Sequence, residues 1–184
     1  MKKIAVLAVL AASGAASAQT WDSGVGGVNF VILDVVSNQN FAFTPTVFGS
    51  SVTGFDIFMN PVHTWRGDLA IRLTAPGGGG TVNLYGHEDG SGDFISCFFA
   101  DSGVPITTSG NLDSATSGVS YHPTAASLLS SLTANAGSWT LSVDDTAAGD
   151  VGTINRIRLT TAPAPASLAL LGLGGLIAGR RRRA

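Results

Sequence analysis

The chain has 184 residues, with ten basic residues, twelve acidic residues and one cysteine. That length holds one domain with a real core, and the lone Cys97 excludes an internal disulfide. All twelve acidic residues lie between Gln19 and Ala162, beside only Arg66, Arg72, Arg156 and Arg158, so four positive charges against twelve negative leave this stretch at −8. Phosphate backbones repel such a surface, which argues against nucleic acid as a partner and suits solubility or cation binding.

The N-terminus reads Met1-Lys2-Lys3, then an apolar run from Ile4 to Ala12, then small residues ending Ala16-Ser17-Ala18. Two lysines, a short apolar stretch and an A-x-A site make a secretory signal, with Ala16 and Ala18 in the signal peptidase pocket and cleavage before Gln19. Two parts follow, a body over 19–162 and a tail over 163–184.

The body is rich in Gly, Thr, Ser and Val, and its apolar residues alternate. Phe55, Ile57 and Met59 alternate with Asp56, Phe58 and Asn60; Leu69, Ile71 and Leu73 alternate with Asp68, Ala70, Arg72 and Thr74. A period of two predicts half-buried strands. Ala75-Pro76 and four glycines turn the chain into a second strand over Thr81 to Tyr85. A loop from Gly86 to Gly92 follows, where Glu88, Asp89 and Asp93 are candidate calcium ligands through hard carboxylate oxygens. Cys97 lies in the apolar run Phe94 to Phe99 and is expected to be a small buried hydrophobe, not a nucleophile.

Thr124 to Leu132 reads as a short helix or an irregular loop, with Leu128, Leu129 and Leu132 covering one end of the core. Trp139, Leu141 and Val143 share one strand face, and Ile157 and Leu159 alternate with Arg156 and Arg158. Between these strands, Asp144, Asp145 and Asp150 crowd a Gly-containing loop and form a second candidate calcium site. The competing reading is a solvated turn that uses Asp at turn positions. Trp65 and Trp139 are expected to be core anchors, and Trp21 either exposed or tucked against the body. His63, His87 and His122 match no zinc spacing. Short strands between Gly-rich turns predict an all-β sandwich or barrel.

The C-terminus has Pro163-Ala164-Pro165, an uncharged Leu/Ala/Gly-rich segment to Gly179, then Arg180, Arg181, Arg182 and Arg183. The apolar segment reaches only the lower edge of the roughly 17–25 residues a membrane span needs, and the arginines would stay on the cytoplasmic side. The order of features resembles a PEP-CTERM sorting signal, found in Gram-negative bacteria that carry an exosortase, with Ala164 where the motif has glutamate. The resemblance implies an exosortase-like enzyme that cuts near Pro163 while the C-terminal helix holds the protein transiently in the inner membrane, and that releases or transfers the body to the cell surface or outside. The plainer alternative is an uncut anchor.

The body itself resembles the P domain, also called P/Homo B. The motifs are His63-Thr64-Trp65-Arg66-Gly67-Asp68-Leu69, the Phe98-Phe99-Ala100-Asp101 segment, Tyr121-His122-Pro123, Gly137-Ser138-Trp139-Thr140-Leu141-Ser142-Val143-Asp144-Asp145 and Gly149-Asp150-Val151-Gly152-Thr153-Ile154. The resemblance implies a jelly-roll-like β-sandwich, non-catalytic itself, that in its usual setting supports a subtilisin-like protease; some members are thought to bind calcium. No Asp/His/Ser set in the subtilisin order and spacing stands in this sequence. The expectation is an exported non-catalytic module that binds a polysaccharide or a protease. The alternatives are an accessory domain for a separate protease, or a carbohydrate-binding sandwich.

Overall fold

A computed structural model describes residues 18–163, apart from 48, 88–90, 107–109 and 125–126. Eleven strands are present among them: β1 (Gln19–Asp22), β2 (Phe30–Ile32), β3 (Gln39–Phe43), β4 (Val52–His63), β5 (Leu69–Thr74), β6 (Thr81–Gly86), β7 (Phe94–Val104), β8 (Leu112–Asp113), β9 (Ser120–Tyr121), β10 (Trp139–Asp145) and β11 (Gly152–Thr161). They form two sheets, which is the all-β sandwich that the period-two pattern predicts.

The larger sheet runs β1-β11-β4-β7-β8, with β2 also on β11 and β9 also on β7. Each of its edges is therefore shared by two short strands. β8 and β9 pair with β7 in parallel, whereas the other pairs are antiparallel. The smaller sheet runs β3-β10-β5-β6. Short edge strands of this kind give other chains little to pair with.

The core lies between the sheets. Phe55, Ile57 and Met59 of β4 meet Leu69, Ile71 and Leu73 of β5, with Trp139, Leu141 and Val143 of β10 and Ile157 and Leu159 of β11, all fully or almost fully buried. Each such side chain contributes about 1.5–3 kcal/mol by leaving water. Trp139 packs its ring against Phe43 and donates its indole N–H to the Asn135 carbonyl at 3.3 Å, so its polar edge is satisfied too. Trp21 stacks on Phe43 at 5.7 Å between ring centres, half-buried. Cys97 is buried as expected, and burial pushes its thiol well above its ordinary pKa, with the Asp56 carboxylate adding to the shift.

Three expectations are corrected. Trp65 is 47% exposed and is not a core anchor. The chain leaves β4 in a 3₁₀ turn over Arg66–Asp68, and it is Arg66 that turns inward, donating through Nη1 to Tyr85 Oη at 3.1 Å. β5 accordingly starts at Leu69, one residue later than the alternation suggests. Leu128 is 46% exposed, while Leu129 and Leu132 are buried under a 3₁₀ turn at Leu129–Ser131. That turn forms because the Asp101 carboxylate, reaching from β7, accepts the N–H groups of Leu129 at 2.6 Å and Ser130 at 3.0 Å.

Candidate functional site

Two polar clusters stand out, one at an end of the sandwich and one on the outer face of the larger sheet.

The end cluster gathers around Asp145. Residues 139, 141, 143 and 145 of β10 point inward together, so Asp145 continues the core face and is no part of a solvated loop. Its carboxylate accepts from His63 Nε2 at 3.3 Å, with both side chains fully buried. Gly152 stands against this pair, since a Cβ there would lie 3.1 Å from the His63 Cβ and backbone nitrogen. Asp144 points to the opposite face, where it accepts from Arg72 at 3.4 Å and from the Asn38 N–H. Asp150 accepts from the Thr64 hydroxyl. The three aspartates read from the sequence as a calcium loop are thus sent in different directions, and among the described residues no three His, Cys, Asp or Glu side chains gather as a metal site. Of the other candidate set, Asp93 fixes the start of β7, its N–H donating to Asn111 Oδ1 at 2.9 Å; Glu88 and Asp89 lie outside the described residues.

Asp68 completes the end cluster. Burial, then the neighbouring charges of Asp145 and Asp150, hold its carboxyl above the usual carboxylate range, against the opposing pull of His63 and His87. Its backbone carbonyl accepts from both the N–H and the hydroxyl of Thr146, at 3.2 Å each.

The outer-face cluster follows from strand register. Arg158 of β11 stands opposite Asp56 of β4, and Asp56 opposite Phe98 of β7; two residues along, Arg156 stands opposite Phe58, and Phe58 opposite Ser96. Six side chains thus form a lattice three strands wide and two rows deep, about 10 Å by 7 Å from strand spacing and rise. Arg158 donates to Asp56 Oδ2 through Nε at 2.8 Å and again through Nη2. Arg156 grips Asp22 with two bonds, at 3.0 and 2.5 Å, and this holds the Asp22 carboxyl below its ordinary range. Gly54 leaves room for the Phe98 ring, because a Cβ there would come within 2.8 Å of it.

A wall rises beside the lattice. The short helix α1 (Ser114–Ser117) is capped by Asp113, whose carboxylate accepts from Thr116 N–H at 3.3 Å and from Ser96 Oγ at 3.0 Å. Those bonds, the Thr116 side chain first among them, hold the Asp113 carboxyl below its usual range. Ser96 Oγ also accepts from Ala115 N–H, and Ser114 Oγ accepts from Phe98 N–H, each at 2.9 Å. Floor and wall therefore share hydrogen bonds, and between them lies a groove of about 250 Å³. Reading along the sequence missed this site, because its residues come from three strands and a turn; the outward phase of Asp56, Phe58, Arg156 and Arg158 was the one signal available.

Of the expected processing residues, Ala18 is exposed and Gln19 opens β1, paired with Thr161 at the close of β11. Pro163 stands two residues further on, its carbonyl accepting from Ser50 Oγ at 3.2 Å. Ala16, Ala164, Pro165, Arg180, Arg181, Arg182 and Arg183 lie outside the described residues. Among the described residues no helix is long and apolar enough to cross a membrane. Compared with known families, the chain matches the proprotein convertase P-domain over residues 52–161. Compared with curated proteins, it has no match.

Proposed function

The chain belongs to the proprotein convertase P-domain family, a non-catalytic accessory domain of subtilisin-like proprotein convertases, and from that premise we propose that it is an exported module that works by binding, not by catalysis. It leaves the cytoplasm on its N-terminal signal. Its C-terminal tail then holds it transiently in the inner membrane, where an exosortase-like enzyme cuts near Pro163 and sends the body to the cell surface or matrix. The folded body is jelly-roll-like, its chain crossing between the sheets from β4 to β5, from β6 to β7 and from β10 to β11.

One observation carries this reading: the first strand starts at Gln19, the last ends at Thr161, and these two residues are partners in the sheet. Both expected cuts fall just outside that pair, so both flanks can be removed without breaking a described strand. Intact mass of the protein from its native host tests the proposal. A product running from Gln19 to about Pro163 is expected; a chain that keeps Arg183 sinks the sorting signal.

The family match favours a second reading, in which the module supports a subtilisin-like protease carried on a separate chain. Co-purification of such a protease from the native host, in stoichiometric amount, would decide for it.

A further inference from the structure

The lattice on the outer face of the larger sheet floors an open groove of about 250 Å³. We infer that the groove over Asp56, Phe58, Phe98 and Arg158, walled by Ala115, binds a neutral saccharide chain, one pyranose ring at a time. The inference rests on reading the body as a binding module; it does not rest on the route of export.

The ligand class follows from charge and shape. Both arginines of the lattice are held by carboxylates, Arg156 by Asp22 and Arg158 by Asp56, so neither leaves an unpaired positive charge in the site. An anion would meet neutralised cations here, on a body whose formal charge is already −8 from four arginines and twelve acids. A neutral polyol meets donors and acceptors in one plane, because both bonds from Arg158 fall on Asp56 Oδ2 and leave Oδ1 unused by that arginine. Phe58 and Phe98 stand diagonally across the lattice and are only partly buried, which supplies apolar surface for the C–H faces of a ring.

Size and rigidity agree. The groove, at about 250 Å³, falls just under the roughly 300 Å³ where sites for drug-sized molecules begin. That suits a single ring whose neighbours continue along the open surface. The wall is fixed before any ligand arrives, since Ser96, Asp113 and Ser114 tie α1 to β7, and a site already in shape pays less ordering entropy on binding.

The test uses the full-length protein in detergent on an array of neutral oligosaccharides (glucan, mannan and galactan series), anionic ones (oligouronates, sulfated glycans) and random peptides. Retention on a neutral series is expected. Phe58→Ser should weaken it by about tenfold, the equivalent of ~1.4 kcal/mol. Ala115→Trp should abolish it by filling the groove from an exposed wall position, without touching the core, so the test survives even if the Phe58 variant misfolds. Three results would overturn the proposal: no neutral saccharide retained, a preference for anionic glycans or peptides, or binding unchanged in Ala115→Trp. Intact mass tests export separately, so failure on the array leaves that reading standing.

Discussion

The two polar clusters use the same residue types to opposite effect. On the outer face Asp22 and Asp56 each meet a guanidinium, and the Asp22 carboxyl is drawn below its ordinary range. At the end of the sandwich burial and the like charges of Asp145 and Asp150 drive the Asp68 carboxyl up, against the pull of His63 and His87. The first arrangement favours the charged carboxylate in the folded state, and the second disfavours it. Burial raises a carboxyl, as it does first for Asp68, and the sign of its neighbours either adds to that rise or, as at Asp22, overrides it.

The largest effect should come from breaking the end cluster at its centre. Asp145→Ala leaves His63 buried without its partner and should cost about 3 kcal/mol in urea unfolding, whereas Asp145→Asn, which keeps an acceptor, should cost clearly less. Asp56→Ala on the outer face should cost about 1 kcal/mol, since Arg158 is 41% exposed and water replaces part of the lost bond.

Asp68→Asn should raise the melting temperature at neutral pH. Its folded pKa is raised, so its contribution is fully present below the unfolded carboxylate pKa of about 3.9 and is lost as pH rises through the folded value. The gain from the substitution should therefore shrink toward zero in acid; an equal gain at pH 3 and pH 7 would refute the assignment. Asp22→Asn should give the smallest change and the reverse slope. Its folded pKa is lowered, so its stabilisation is present at neutral pH and disappears as pH falls below the usual carboxylate range. The variant's melting curve should be flatter there than that of the unsubstituted protein.

The strands were legible because burial on one face writes itself into every second residue. Leu69, Ile71, Leu73, Trp139, Leu141 and Val143 all take the predicted face. The same rule extends β10 to Asp145, yet an aspartate beside another aspartate, with Gly149 shortly after, reads as a turn, and nothing local reveals that His63 waits 82 residues away in sequence. Trp65 and Arg66 invert the usual order of burial, because the 3₁₀ turn places the arginine under Tyr85 and the indole outside. The groove escaped for a related reason. Register across β11, β4 and β7 creates it, and register is a property of pairing, not of any one stretch of chain.

The partnership of Gln19 with Thr161 has a mechanical consequence. A force that separates the two ends would open the β1–β11 ladder rung by rung, a weak path. A force between the C-terminus and the outer face instead loads β11 along its length, where β4 holds one side and β1 and β2 the other, so many bonds resist at once. Pulling the C-terminal end of β11 against the face of the larger sheet therefore loads the body in its stronger direction.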